Sequence, residues 1–273
     1  MILEDCLFNA ANRSLFRRPS RNGSVSPSQA VLPGLNWVLR FALPENDSPG
    51  HPMFAGSKFA AFLFDMDGTV LNSIAAAERV WTAWANRHGL DVAAFLPTIH
   101  GRRARETIAA LKLPGVDPVA EADLLLKAEA DDLEGIVPIP GAVAFLESLP
   151  PERWAIVTSA PRELALLRIK AAGIPVPAMM VTAEDVTHGK PAPDCFLLAA
   201  KRLGVEARDC LVFEDAPAGI AAGEASGASV MVISATHVHP LVTPHPMIRS
   251  YDEIGIALDD SGWIALAPER AVA

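Results

Sequence analysis

Cysteine is scarce in this chain: Cys6, Cys195 and Cys210 are the only three in 273 residues, odd in number and far apart. They supply neither zinc-ligand spacing nor a disulfide framework, so the expected compartment is a reducing one, the cytoplasm. No apolar run approaches the roughly 18 residues of a membrane-spanning helix, which predicts a soluble protein with no membrane partner. The opening carries Glu4 and Asp5 and no apolar stretch of signal-peptide length, which argues against secretion. Basic residues are in deficit, 23 Lys and Arg against 32 Asp and Glu for a net charge of -9, and leave no footprint for a nucleic acid. Glycine signatures of nucleotide binding are missing as well. No Gly-x-Gly-x-x-Gly occurs, and Gly189-Lys190 is followed by Pro191 with no P-loop glycine at the required distance before it. Dinucleotide and Walker-type functions are thereby disfavoured, and an anionic ligand would have to be drawn in by local charge or a metal.

What is present is an apolar supply of 51%, enough for one large domain or for a core carrying an insertion. The chain is organised around residues 58–73, where a Phe-rich run ends abruptly in Asp65-Met66-Asp67-Gly68-Thr69. A continuous apolar run bounded by polar turn residues suits a central strand of a parallel sheet covered on both faces. That strand delivers Asp65 and Asp67 to its C-terminal tip. Two carboxylates so close do not both ionise freely unless a cation lies between them or one keeps its proton. A calcium loop would need glycine at its sixth position and glutamate at its twelfth, whereas Gly68 is fourth and Ala76 twelfth. A hairpin at Asp67-Gly68 would need an alternating strand after it, and the next stretch has helical spacing instead.

Residues 1–57 are rich in Arg, Ser, Asn and Pro and lack periodicity, which predicts a poorly ordered extension. A transit-peptide-like segment and a start site at Met53 stay open as alternatives. Residues 74–88 place Ala77, Val80, Trp81, Trp84 and Ala85 at helical spacing, with Gly89 as the stop. Another helix is predicted up to Leu113, and a third from Asp117-Pro118 to about Glu134. Residues 73–135 thus read as an all-helical insertion. From Pro138 onward, strands predicted over 153–157, 178–181, 210–213 and 229–233 alternate with helices over 141–149, 161–172, 194–203 and 217–226. Such alternation specifies a doubly wound α/β core, 58–72 with 136–273, in which the strand at 58–64 joins the sheet across the insertion.

Ligands of open parallel sheets bind beyond the carboxyl ends of the strands. Three predicted strands end in reactive groups: Asp65 and Asp67, then Thr158 and Ser159, then Glu214 and Asp215. Together with Gly189-Lys190-Pro191 they form an ordered set of four motifs that resembles the haloacid dehalogenase superfamily, and specifically its phosphatase branch. The longer runs 154–159, 181–185 and 213–220 are similar to the subgroup of sugar-phosphate, 2-deoxyglucose-6-phosphate and glycerol-phosphate phosphatases.

The resemblance implies a Rossmann-like core with a helical cap and a magnesium-dependent phosphatase acting on a small phosphorylated sugar or polyol. By position it makes Asp65 the nucleophile that becomes an aspartyl phosphate. Asp67 then protonates the leaving oxygen, activates water, and lends its main-chain carbonyl to the metal. Mg2+ on Asp65, Asp215 and Glu214 screens carboxylate from phosphate. Lys190 and Thr158 hold phosphoryl oxygens, Thr69 and Ser159 contribute to the substrate side, and His100, Gly101 and Arg102 resemble the cap's specificity loop. Asn72 departs from the pattern, standing where many members carry an acid. A phosphomutase of the same superfamily is the nearest competing reading. A dehalogenase would have no need of Asp67, and a non-catalytic module could lose Asp65 or Lys190 without penalty. Oligomeric state is left open.

Overall fold

The structure is a computed structural model and describes residues 54, 56–239 and 241–268. The extension expected over 1–57 therefore lies almost wholly outside the described residues. At its end Phe54 packs on the core, its ring edge-on to Phe59 at 5.4 Å, so the body begins a little earlier than position 58.

The central strand β1 (Ala61–Phe64) is completely buried. Its alternation separates two layers of core. Phe62 and Phe64 face a layer with Phe145, Leu164, Ile169, Phe213 and Tyr251, while Ala61 and Leu63 face one with Phe196, Ala199, Ile220 and Val230. Burying each phenylalanine is worth about 1.5–3 kcal/mol, so β1 anchors the first of these layers most strongly. A short strand β2 (Leu71–Asn72) follows and pairs antiparallel with β3 (Val137–Pro138). Between them the regular structure is helical: α1 (Ile74–Arg87), α2 (Val92–Phe95), α3 (Ala104–Leu111) and α4 (Pro118–Asp131), with a 3-10 turn over Leu96–Thr98. These helices share their own apolar cluster around Trp81, Trp84, Phe95, Ile108 and Leu125. Both tryptophans thus pack within the insertion. Asp117 caps α4 by accepting from the amide of Val119 at 3.0 Å. The helix stops at Asp131 and not near Glu134, because Arg79 holds the Asp132 carboxylate at 2.6 and 2.8 Å and the Glu134 carbonyl at 2.8 Å.

Beyond the β2–β3 ribbon run α5 (Ala142–Ser148), β4 (Trp154–Val157), α6 (Arg162–Ala172), β5 (Met180–Val181), α7 (Asp194–Leu203), β6 (Cys210–Glu214), α8 (Pro217–Ser226) and β7 (Ser229–Ile233). The six-stranded sheet has order β5-β4-β1-β6-β7-β8 with all pairings parallel, β8 being Met247–Ile248. Helices α5 and α6 cover one face, α7 and α8 the other. The strand expected over 178–181 shortens to two residues, which match β4 only at Ile156↔Met180 and Val157↔Val181. A second unforeseen ribbon, β9 (Ile254–Leu258) with β10 (Ile264–Pro268), reaches back to Phe59 through Ile264, with main-chain bonds of 2.8 Å in both directions. The strand order reverses at β1, so the crevice above the tips of β1 and β6 is where such a sheet presents a ligand site.

Candidate active site

Three of the sequence motifs meet above the tips of β1 and β6. Asp65, Glu214 and Asp215 are all buried and offer oxygens within 4.8 Å of one another. Lys190 enters the cluster from the loop before α7, and its three protons are all engaged. Nζ donates to Asp65 Oδ1 at 2.5 Å, Glu214 Oε1 at 2.8 Å and the Val157 carbonyl at 3.1 Å. Glu214 accepts three hydrogen bonds in all, since Oε2 takes the main-chain amides of Asp215 and Ala216 at 2.7 and 2.8 Å. Asp65 and Asp215 each keep one oxygen, Oδ2, without a partner among the described residues. Two glycines permit this density. A Cβ on Gly68, whose φ is +92°, would lie 2.0 Å from Asp215 Oδ2, and one on Gly219 would lie 1.4 Å from Glu214 Oε1.

Three carboxylates around one ammonium leave excess negative charge in a dry place. Burial pushes Asp65 up to about 8, against the pull of Lys190 and with the repulsion of Glu214. Burial followed by the same repulsion raises Asp215 well above the carboxylate range. For Lys190 burial works against the charge but is outweighed by Asp65 and Glu214, so it stays protonated. A divalent cation with a preference for oxygen fits this set: it would relieve the repulsion, with the open oxygens of Asp65 and Asp215 as its side-chain ligands. Glu214 offers an oxygen to the same cluster and also accepts from Lys190. The Asp67 carboxyl is not part of the cluster.

Asp67 instead turns toward a cavity of about 310 Å³ between the sheet and the helical insertion. Its Oδ1 accepts from Ser73 Oγ at 2.5 Å and from Arg168 Nη1 at 2.9 Å. Asp65, Thr158, Ser159, His100, Gly101 and Arg102 also line the cavity. Thr158 accepts the Ala160 amide on its hydroxyl at 3.0 Å, and Ser159 donates to the Gly101 carbonyl at 3.1 Å, tying the strand end to the insertion. Arg102 is exposed at this wall, and His100 lies 3.4 Å from Glu78. Thr69 differs from expectation. It is fully buried, donates to Asp215 Oδ1 at 3.2 Å and does not reach the cavity, because the turn directs its side chain back under the carboxylates.

Several residues of the site lie outside the four motifs. Arg103 grips the carbonyls of Val186 and Thr187 at 3.1 and 3.2 Å, docking the start of α3 on the loop that carries Lys190. Arg168, Ser73 and Glu129 surround Asp67, and His237 donates from Nε2 to the Asp215 carbonyl at 2.9 Å. Only Arg168 leaves a signal in the sequence: it interrupts the otherwise apolar inward row Leu164, Ala165, Ile169 and Ala172 of α6.

A family model described as haloacid dehalogenase-like hydrolase matches residues 59–227. Hexitol phosphatase A of Escherichia coli K12 is 40% identical over 210 residues, covering 75% of this chain and 97% of that protein. Glycerol-1-phosphate phosphohydrolase 2 of Saccharomyces cerevisiae is 34% identical, covering 66% of this chain and 76% of its own. Among solved structures, a hydrolase from Pseudomonas syringae superposes with a TM-score of 0.56 at 28% identity, covering 64% of this chain and 84% of that one. The match spans the strand that ends in Asp65, the insertion and the Glu214-Asp215 tip together, and the chain belongs to the haloacid dehalogenase-like hydrolase family.

Proposed function

We propose that the protein is a magnesium-dependent phosphatase of small sugar or polyol phosphate monoesters that works through an aspartyl-phosphate intermediate. The observation that carries the reading is Asp65, whose Oδ2 is left open at the switch point of the sheet while the residue lines the cavity together with Asp67. Asp65 attacks phosphorus, and the alcohol leaves with a proton from Asp67, which then takes one from the water that hydrolyses the acyl phosphate. Magnesium, when bound at Asp65 and Asp215, screens the carboxylate from the phosphate dianion and orients the two in line. Lys190 fixes the Asp65 carboxylate through Oδ1 and adds positive charge beside the transferring group. Thr158 and Ser159 lie at the phosphoryl end of the cavity.

The insertion, residues 73–135, is the cap of this reading, with residues 58–72 and 136–273 as the core. The cavity of about 310 Å³ is at the lower end of ligand pockets, which run from about 300 to 1,000 Å³, and suits a compact substrate. Its wall combines the apolar Trp81, Ile99 and Leu126 with Arg102, Asp123 and Glu129, partners for several hydroxyls. The names of the relatives, which specify hexitol and glycerol-1-phosphate substrates, support the same class. A cytoplasmic setting agrees with the free, buried thiols of Cys195 and Cys210.

The test is phosphate release from a panel of polyol and sugar phosphates, with and without magnesium, for wild type and Asp65→Asn. Release that needs the metal and vanishes in the variant is expected, because the amide keeps the shape and lacks the nucleophile. Undiminished turnover by Asp65→Asn would rule the mechanism out. An isomeric phosphate in place of free phosphate would point to mutase chemistry.

A further inference from the structure

The chemistry proposed for Asp67 leaves its surroundings without a task. Arg168 is 5% exposed on the inward face of α6, among leucine, alanine and isoleucine. Its Nη1 donates to Asp67 Oδ1 at 2.9 Å, and its Nη2 lies 3.4 Å from Glu129 Oε1. Nε has no acceptor among the described residues. Glu129 belongs to α4 in the insertion, is itself buried, and is held by the indole nitrogen of Trp81 at 3.2 Å. The chain Asp67–Arg168–Glu129 therefore crosses from the catalytic loop through a core helix into the helical insertion, with all three residues on the cavity wall.

The donors are distributed unevenly over the Asp67 carboxyl. Ser73 Oγ and Arg168 Nη1 converge on Oδ1, at 2.5 and 2.9 Å, while Oδ2 accepts nothing among the described residues. A carboxyl with one oxygen doubly occupied cannot turn without breaking two hydrogen bonds, and the other oxygen is the one available to exchange a proton. An apolar residue would fill this place on α6 without desolvating a charge, so packing alone does not call for an arginine.

We propose that Arg168 is a positioning residue for Asp67. With Ser73 it occupies Oδ1, so that Oδ2 meets the departing alcohol, and Glu129 holds the guanidinium in that pose only while α4 is docked on the core. The proposal rests on Asp67 as the proton carrier, and it makes the delivery of that proton depend on the insertion being closed.

Phenyl phosphate and 4-nitrophenyl phosphate test it, since they nearly share a shape but their alcohols differ widely in how much they need a proton on leaving. For each ester, kcat/KM reports the steps up to alcohol release. It is measured with magnesium on the full chain for wild type, Arg168→Met, Arg168→Lys and the double variant Arg168→Met/Glu129→Met. A general acid is worth about 10²–10⁴-fold, so misplacing it in Arg168→Met should lower phenyl phosphate turnover by at least about tenfold and 4-nitrophenyl phosphate by less than about threefold. Lysine should restore part of the phenyl phosphate rate. The double variant, which leaves no buried charge unpaired, should show the same split even where the single methionine variant is poorly folded. Equal losses on the two esters in the double variant, or no loss on either, would overturn the proposal while leaving the phosphatase reading intact. A wild type that releases phosphate neither from these esters nor from polyol phosphates would instead remove the phosphatase reading and this proposal with it.

Discussion

At the scale of single residues, the site depends on close approach. Gly219 is the sharpest case, because a Cβ there would stand 1.4 Å from the Glu214 oxygen that holds Lys190. Gly219→Ala must displace Glu214 and so separate a buried charge from its partner, which typically costs about 3–5 kcal/mol. A large drop in the urea midpoint together with loss of phosphatase activity is expected, and a variant of wild-type stability would show that Glu214 can relocate freely. Asp67→Asn tests the second carboxyl. It should bind magnesium as the wild type does, by calorimetry, while turning over about 10²-fold or more slowly, since the main chain is unchanged and the proton carrier is gone.

At the scale of elements, the loop from His100 to Arg103 connects two bodies of structure. Its two arginines divide the work: Arg103 is buried against the Val186 and Thr187 carbonyls, while Arg102 stays exposed on the cavity wall. Removing a charged hydrogen bond from a closed site is worth about 1.5–3 kcal/mol, or roughly ten- to a hundredfold. Arg102→Ala should therefore lower kcat/KM for a polyol phosphate by that factor and leave 4-nitrophenyl phosphate nearly unchanged, because only the polyol offers hydroxyls to the guanidinium. Arg103→Ala should instead weaken both substrates, since it undocks α3 from the Lys190 loop. Kinetics on the two esters separate the cases, and identical profiles for the two variants would contradict the division.

The whole molecule couples its stability to the charge of the site. Asp65, pushed up to about 8 from an ordinary value near 3.8, keeps a proton in the folded state that the unfolded chain has already released across that interval. The folded form then binds more protons than the unfolded form, so metal-free stability falls as pH rises from about 4 to 8, by at most about 1.4 kcal/mol per pH unit for each retained proton. Asp215, raised for the same reason, adds to the slope. Melting temperatures without magnesium should decline over this range, and magnesium should protect more at pH 8 than at pH 5. Asp65→Asn should flatten the decline, and a variant with the wild-type slope would move the source elsewhere. At this scale, too, a chain started at Met53 retains Phe54 and every described contact, and should melt and turn over like the full-length protein.

Much of this is legible from local sequence. An apolar run ending in Asp65-Met66-Asp67-Gly68 states a buried strand and its reactive tip within ten residues, and Val212-Phe213-Glu214-Asp215 does the same, because strand burial and polar termination are short-range properties. Helix stops at Gly173, Gly204 and Gly227 are equally local, each adopting the left-handed conformation after its helix. The short pairings are not legible: β2 with β3 and β9 with β10 take their register from partners and not from an internal pattern. Nor is the assignment of the oxygens. Whether Glu214 holds Lys190, and whether Thr69 faces substrate or Asp215, depends on partners 24 and 146 residues away in the chain. Arg168 shows in sequence only as an interruption of the apolar row of α6, and its place beside Asp67, 101 residues distant, exists only once the sheet and the insertion are packed together. Residue types and strand ends determine which chemistry is available, whereas tertiary packing decides which lone pairs stay free to perform it, because a buried carboxylate satisfied by the protein is no longer open to a ligand.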